Sequence, residues 1–370
     1  MNPTSESAVA RATLGAYLRV RAGEAVTVEA WSSALDWARA LVLEARRRDV
    51  EPILVVEDED GFFRSLEGGG PVPTAPATLA RLGGAYVYLS GPEAFPRAFG
   101  LEPEERRAVV ARHGPAWRAA ARGSGLRAVA LAVAGVGPTA AARFGVGVDA
   151  WREEVVRASL VPPARLRATA GRLVRRLARA RRLTVRHANG TRLELAVRPG
   201  RWLEEAAGED RGRHRFDPVW SSVPTGRLTV PVAPGSANGR WEANRPHYDR
   251  WGESPVGDGG RFRFADGRLE EYAFDRGGEE FASLSAASRR APGIVRALTV
   301  GLNPAVVRAP EVGDLSLGRL GLCFQLGRPQ GRTGVLPGEF VSALHGAEVD
   351  LDGRPWLSDG QAVRARGGSG

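Results

Sequence analysis

Lysine is absent from this chain, and all 52 of its basic residues are arginine. Cysteine occurs once, at Cys323, which excludes an intramolecular disulfide and leaves the redox compartment weakly constrained. Histidine occurs five times, at His113, His187, His214, His247 and His345, and no two stand at a metal-ligand spacing such as H-E-x-x-H. No run of about 18 apolar residues exists, so no membrane-spanning helix is expected. Residues 1–20 lack the apolar region of a signal peptide, and the cytoplasm is the expected compartment.

What the chain has in quantity is arginine, and against 42 acidic residues it gives a formal net charge of +10. Arginine throughout in place of lysine, beside abundant Ala, Gly and Pro, reads as genome composition and not as a selected binding surface. A nucleic-acid binder would gather Arg on one face among aromatics. The densest run, Arg165 to Arg192, has few aromatics and reads as a helix face, so no nucleic-acid partner is expected. The 43% hydrophobic and 25% charged content is that of an ordinary globular protein. At 370 residues there is chain enough for two domains, each with its own core.

The first half alternates short apolar runs with helical periodicity. Ala25–Ala30, Pro52–Val56, Ala85–Leu89 and Leu126–Val133 read as strands, the second of them buried. Between and after them, Trp31–Arg48 carries Leu35, Ala38, Leu41 and Leu43 at helical spacing, and Pro76–Leu82 and Pro103–Arg122 read as helices. This alternation predicts a parallel sheet covered by helices on both faces. Gly135-Val136-Gly137-Pro138-Thr139-Ala140 loosely matches a dinucleotide fingerprint. It follows the fourth strand instead of the first, and Pro138 removes an N–H donor, so a tight strand-to-helix turn is the better reading. Val148–Ala180 reads as helix broken at Pro162-Pro163, its second piece bridging the two halves with Leu166, Leu173, Val174 and Leu177 on one stripe. From Leu183 onward hairpins take over, at Leu183–Val197 around Asn189-Gly190 and at Arg261–Phe274 around Ala265-Asp266-Gly267.

The second half of the chain is organised around the stretch Trp220–Trp241, WSSVPTGRLTVPVAPGSANGRW. Pro224-Thr225-Gly226 is a turn, Leu228-Thr229-Val230 a short extended run stopped by Pro231, and Ser236–Gly239 a second turn signal through Asn238-Gly239. Pro224, Gly226, the next proline, Ser236 and Gly239 resemble the metal-binding turn of the thermophilic metallo-aminopeptidases of the aminopeptidase T and S type, Pro-x-Gly-Glu succeeded by Pro and Ser-x-x-Gly. Further agreement lies in Pro138-Thr139 with Ala142 and Gly145, in Gly190-Thr191 with Leu193, in Gly301-Leu302-Asn303-Pro304, in the strand Leu320–Gly327 and in Val349–Gly353. The resemblance covers nearly the whole chain. It implies an α/β N-terminal domain over residues 1–182, a β-rich α+β domain over 183–365 holding the ancestral site, a flexible tail at 366–370, and a homodimer.

It also implies two divalent ions, and there the chain departs from the pattern. Arg227 stands at the first metal-ligating glutamate, about Ala297 at the second, Cys323 at the strand histidine, and His345 with Ala347 at the final His-x-Asp pair. Only His345 keeps a ligand in place, whereas a catalytic zinc takes about three protein ligands. Unit charges about 4 Å apart interact by roughly 4 kcal/mol at an effective dielectric of 20, and a divalent ion beside Arg227 would feel about twice that as repulsion. The expected reading is a protein that has lost the metal site and holds no cofactor. It would bind an anionic, carboxylate-bearing or peptide-like small molecule through Arg227, with His247 in the Trp-rich segment WEANRPHYDRWGE lining the same cleft. A second reading is an active aminopeptidase with relocated ligands for zinc, cobalt or manganese. A third is a hydrolase or transferase in which Cys323 and His345 form a thiolate–imidazole pair, against which stands the ordinary burial of a free cysteine.

Overall fold

The computed structural model describes residues 4–67, 84–91, 125–144, 146–199, 202–205, 220–243, 247–248, 254–255, 257–287, 293–306, 320–326, 338–358 and 361–362. The expected helices at 76–82 and 103–122, His113, His214 and the 366–370 tail lie outside them. The chain divides into two compact units. The first comprises Met1–Ala164, Glu205–Asp210 and Arg215–Thr225, and the second Arg165–Glu204, Arg211–His214 and Gly226–Gly370. Among the described residues no helix is long and apolar enough to cross a membrane.

The first unit is α/β. After helix α1 (Ser5–Ala12) come strand β1 (Ala25–Trp31), α2 (Leu35–Arg47), β2 (Glu51–Glu57), α3 (Glu59–Glu67), β3 (Ala85–Leu89), β4 (Arg127–Leu131), α4 (Pro138–Phe144) and α5 (Val148–Ser159). All pairings are parallel, in the order β2-β1-β3-β4, and the fifth strand comes from much later in the chain, Trp220–Val223. The organising stretch therefore begins inside the first sheet. Two expectations are corrected here. β2 is an edge strand and not a buried one, with Leu54 44% and Val56 48% exposed. The buried stripe of α2 runs through Trp37, Ala38, Leu41 and Ala45, while Leu35 and Leu43 face out. Asp36 in its first turn and Arg46 and Arg47 in its last complement the helix dipole. Gly135 ends a 3-10 turn and Pro138 opens α4, a strand-to-helix turn as the sequence indicates.

Two buried tyrosines in this unit are matched to partners, whereas the buried Thr13 hydroxyl has none. The Tyr86 hydroxyl donates to the Glu29 carboxylate, both side chains being fully enclosed. Tyr17, at the end of a π-helical turn (Thr13–Tyr17), donates to the carbonyls of Ser159 and Val161, each at 3.3 Å. Burial pushes the Tyr17 phenol well above its ordinary pKa, so it remains a neutral donor that ties the N-terminal helix to the end of α5.

The second unit is β-rich. It opens with helix α6 (Pro163–Leu177), separated from α5 at the Pro162-Pro163 break and burying Leu166, Ala170, Leu173 and Leu177 on one stripe. A hairpin of β5 (Arg182–Arg186) and β6 (Arg192–Ala196) comes next, with Val185 opposite Leu193. Numbering on from the first-sheet strand Trp220–Val223 as β7, the remaining main strands are β8 (Arg227–Pro231), β9 (Asn238–Ala243), β10 (Gly260–Ala265) and β11 (Arg268–Ala273). After helix α7 (Glu279–Ala287) come β12 (Ile294–Gly301), β13 (Leu320–Leu326), β14 (Gly338–Leu344), β15 (Glu348–Leu351) and β16 (Arg354–Ser358). They form one antiparallel sheet in the order β14-β13-β12-β11-β10-β9-β6-β5-β15-β16, with β8 also paired to β12 and a short strand, His247–Tyr248, beyond β14. Its core is aromatic: Phe262, Phe264, Phe281 and Phe324 meet with ring centroids 5.1 to 6.1 Å apart. The fully buried Trp241 donates its indole N–H to Ser342 Oγ at 2.8 Å.

Candidate functional site

The turn before β8 is fixed by packing. Gly226 has φ +127°, and a Cβ there would lie 3.1 Å from Asn303 Cβ and 3.3 Å from Leu166 Cδ2. Its carbonyl accepts from the Leu302 N–H at 2.7 Å, and Asn303 Oδ1 accepts from the Ala305 N–H at 3.1 Å. The Pro-x-Gly turn and the Gly-x-Asn-Pro loop thus hold one another. Ser236 Oγ donates to the Ala233 carbonyl at 2.7 Å and accepts from the Ala196 N–H at 3.1 Å. Asn238-Gly239 is not the hairpin turn expected from the dipeptide. Both residues begin β9, and the turn sits at Pro234-Gly235. Gly239 has φ +120°, and a Cβ on it would fall 2.1 Å from the Arg192 carbonyl oxygen, so only glycine admits the neighbouring strand. The framework residues of the resemblance are therefore structural: Gly226 and Asn303 hold the start of β8 to the end of β12, and Ser236 and Gly239 seat the start of β9 against β6.

Strand register then defines a face. In an antiparallel pair, residues directly opposite point to the same side. Pro231, Ala297, Cys323 and Val341 share one rung across β8, β12, β13 and β14; Thr229, Thr299, Gly321 and Ala343 share the next; Arg227 lies opposite Gly301. The alternating residues Leu228, Val230, Leu298, Val300, Leu320 and Leu322 are buried on the reverse side. Arg227, Thr229 and Cys323 are half-buried, which marks their side as the accessible one. Thr299 is only 2% exposed, and its hydroxyl has no hydrogen-bond partner. Thr229 and Thr299 escaped the sequence reading because a threonine flanked by Leu and Val reads as strand. The interpretable signal was a polar residue recurring at the same place in two apolar runs, Leu228-Thr229-Val230 and Leu298-Thr299-Val300.

The register also shows which candidate residues come together. Cys323 is opposite Val341, four residues before His345, a distance along the strand of about 13 Å. His345 is exposed in the bend after β14, and Ala347 is buried. Cys323 and His345 are therefore not brought to hydrogen-bonding distance, and the thiolate–imidazole pair is corrected on that ground. His247 instead occupies the rung of Cys323, opposite Val341, two strands and about 10 Å away. Arg227 and His247 lie on the same sheet but four strands and four residues apart, about 20 Å across its surface, so one small ligand does not span both. The smaller group formed by Arg227, Thr229 and Thr299 is compact, its Cα positions lying within about 8 Å along and across two paired strands.

Among the described residues of this face, the donor set does not fit a metal. Its described residues offer one thiol, two neutral hydroxyls, small apolar residues and a guanidinium, and Ala297 and Cys323 sit directly opposite one another. No carboxylate stands between Ala291 and Val306. Among the described residues no group of three or more His, Cys, Asp or Glu side chains is placed to hold an ion.

No family model matches this chain, and no curated protein matches its sequence. Solved structures do. Wild-type AmpT, aminopeptidase T from Thermus thermophilus, superposes with a TM-score of 0.71 at 18% identity, over 97% of this chain and 99% of its own. The 2,5-dihydroxypyridine dioxygenase from Pseudomonas putida KT2440 superposes at 0.59 with 15% identity, over 99% of each chain. One architecture thus carries a peptidase name and an oxygenase name, and fold alone does not assign chemistry. The chain has the aminopeptidase-like two-part fold that its glycine and proline framework implied.

Proposed function

We propose that this protein is a divergent aminopeptidase-fold protein that has lost the dinuclear metal site and binds a carboxylate-bearing small molecule or short peptide on the β8–β12–β13 face. The observation that carries this reading is Arg227, half-buried at the start of β8 opposite the bare backbone of Gly301. A guanidinium offers five donors in a planar fork that matches a carboxylate bidentately, so it retains capacity for a ligand beside an internal partner. The same charge opposes a divalent cation, and Ala297 with Cys323 supplies no replacement carboxylate. We place the protein in the cytoplasm as a homodimer without nucleic-acid or membrane partners.

Elemental analysis of the purified, untagged protein after incubation with zinc, cobalt or manganese and desalting tests the proposal. The expected result is substoichiometric metal. One to two tightly held ions per chain would overturn it in favour of a peptidase with relocated ligands. Calorimetric titration with short-chain carboxylates, against the Arg227→Gln variant, tests the binding half.

A further inference from the structure

Helix α6 carries a charge pattern that the β8–β12–β13 face does not use. Between Glu154 and Glu194 the chain has no Asp or Glu, although 42 of its 370 residues are acidic. Genome composition accounts for arginine in place of lysine, but not for the missing acids. Arg165, Arg172 and Arg176 stand at i, i+7 and i+11, so they fall along one line of α6, with Arg175 beside it. Arg165, Arg172 and Arg175 are exposed, while Leu166, Leu173 and Leu177 hold another side of the helix in the core. A solvated helix face is ordinarily stabilised by opposite charges three and four residues apart. Here Arg172 meets Arg175 and Arg176 at those spacings, and like-charge pairs destabilise a helix. Arg165 lies in the first turn, which has no acid and where the helix dipole favours the opposite sign. Among the described residues none of the four pairs with a carboxylate. Arg172 Nη2 donates instead to Thr169 Oγ1 at 3.0 Å, and Arg176 to the Pro355 carbonyl. Thr169 in turn donates to the Arg165 carbonyl at 3.1 Å, so the Arg172 guanidinium is held along the line with most of its donors unused.

We propose that the outer face of α6 docks an acidic α-helix of another protein, one whose carboxylates repeat at three-, four- and seven-residue spacings along one side. Such a helix matches the arginine line in pitch, about 10.5 Å from Arg165 to Arg172 and about 6 Å from Arg172 to Arg176. Each guanidinium takes a carboxylate through two parallel N–H donors. Nucleic acid is the other polyanion that charge alone would attract. The helix has no aromatic side chain on which a base could stack, which favours the polypeptide. This docking surface stands independently of Arg227.

Fluorescence anisotropy with the full-length protein tests it. The probes are a labelled Ala/Gln-based helical peptide with Glu on one face at three- and four-residue intervals, a peptide of the same composition with Glu dispersed around the helix, and duplex DNA. The striped peptide should bind at least about tenfold more tightly than the dispersed one, and its affinity should fall as salt rises. The triple variant Arg165→Gln, Arg172→Gln and Arg175→Gln should weaken that binding at least about tenfold, and it leaves Arg176 on Pro355. It should melt no lower than wild type, because glutamine keeps helix propensity and removes like-charge pairs. The corresponding lysine triple variant keeps the charge and should keep most of the affinity. No binding of the striped peptide overturns the inference, as do equal binding of the two peptides and undiminished binding by the glutamine variant. Tighter binding of the duplex than of the striped peptide, or a self-association of the wild type that the glutamine variant loses, overturns it in favour of nucleic acid or a second copy of this chain.

Discussion

Replacing Thr299 by valine should make the protein more stable. The two side chains have nearly the same shape, and both are β-branched residues suited to the middle of β12. In the native state the threonine hydroxyl has been taken out of water and given no partner. The penalty for such a group is about 1–3 kcal/mol, and a methyl in its place recovers it. Taking about 1 kcal/mol as the outcome, a folding unit of about 150–250 residues would melt about 2–4 °C higher. Urea denaturation followed by tryptophan fluorescence gives the midpoint, and an unchanged slope would show that the unfolded ensemble is not the cause. The internal contrast is Ser342, whose Oγ accepts from the enclosed Trp241 indole at 2.8 Å. Ser342→Ala should cost about 1–3 kcal/mol, because it strands a buried donor. A loss of about 1 kcal/mol or more in Thr299→Val would mean that the hydroxyl is engaged, and the reasoning from its isolation would fail.

Other perturbations have definite outcomes. Gly239→Ala should cost more than about 3 kcal/mol and reduce soluble yield, since its Cβ would sit 2.1 Å from the Arg192 oxygen at a φ that alanine avoids; a melting point within about 2 °C of wild type would contradict the clash. At Glu24, desolvation pushes the carboxyl pKa up, but the Arg21 backbone N–H and the bond and charge of Arg127 outweigh it and hold the pKa below the usual value. The ionised pair, 2.6 Å between Arg127 Nη2 and the carboxylate, therefore adds stability above about pH 4.5 that disappears as pH falls through the native pKa. Glu24→Gln should lower stability by about 0.5–1 kcal/mol at pH 7 and by progressively less as pH falls through the native pKa, checked by melting across an acid pH series. Arg227→Glu should not restore tight divalent-ion binding by itself, because Ala297 and the exposed His345 still leave too few ligands; stoichiometric zinc in that variant would show that Arg227 alone excludes the metal.

Much of the fold was legible because local rules and tertiary demands agree in it. The strand at 25–31, the break between α5 and α6 at Pro162-Pro163, and the hairpins at 182–196 and 260–273 follow from periodicity and turn chemistry alone. Where the sequence misled, a long-range contact decided. Asn238-Gly239 has the chemistry of a hairpin turn, yet Arg192 approaches so closely that glycine is needed inside a strand, and Asn238 Oδ1 instead accepts from the Asp266 N–H of the next turn. Leu54 and Val56 look buried in a window of five apolar residues, and only strand order reveals that they belong to an edge. The candidate site was half legible. Arg227 announced itself by contradicting the framework around it, whereas the threonines needed the register of β8 against β12, which sequence spacing does not contain. The Cys323–His345 pairing misled for the same reason, since both positions come from motif rhythm but their separation depends on which residue of β14 faces Cys323.

The strand Trp220–Val223 bears on how this protein comes into being. Its hydrogen bonds complete the first sheet beside Arg127–Leu131, yet the ribosome makes it about ninety residues later, after α6 and the hairpin of the second unit have been synthesised. Until it arrives, β4 is an open parallel edge of small apolar residues, the kind of surface that recruits a wrong partner. Neither unit is a contiguous stretch of chain. A fragment ending near residue 182 would be an unfinished sheet and not an independent domain, and nascent chains would be exposed to aggregation until residue 223 has left the exit tunnel.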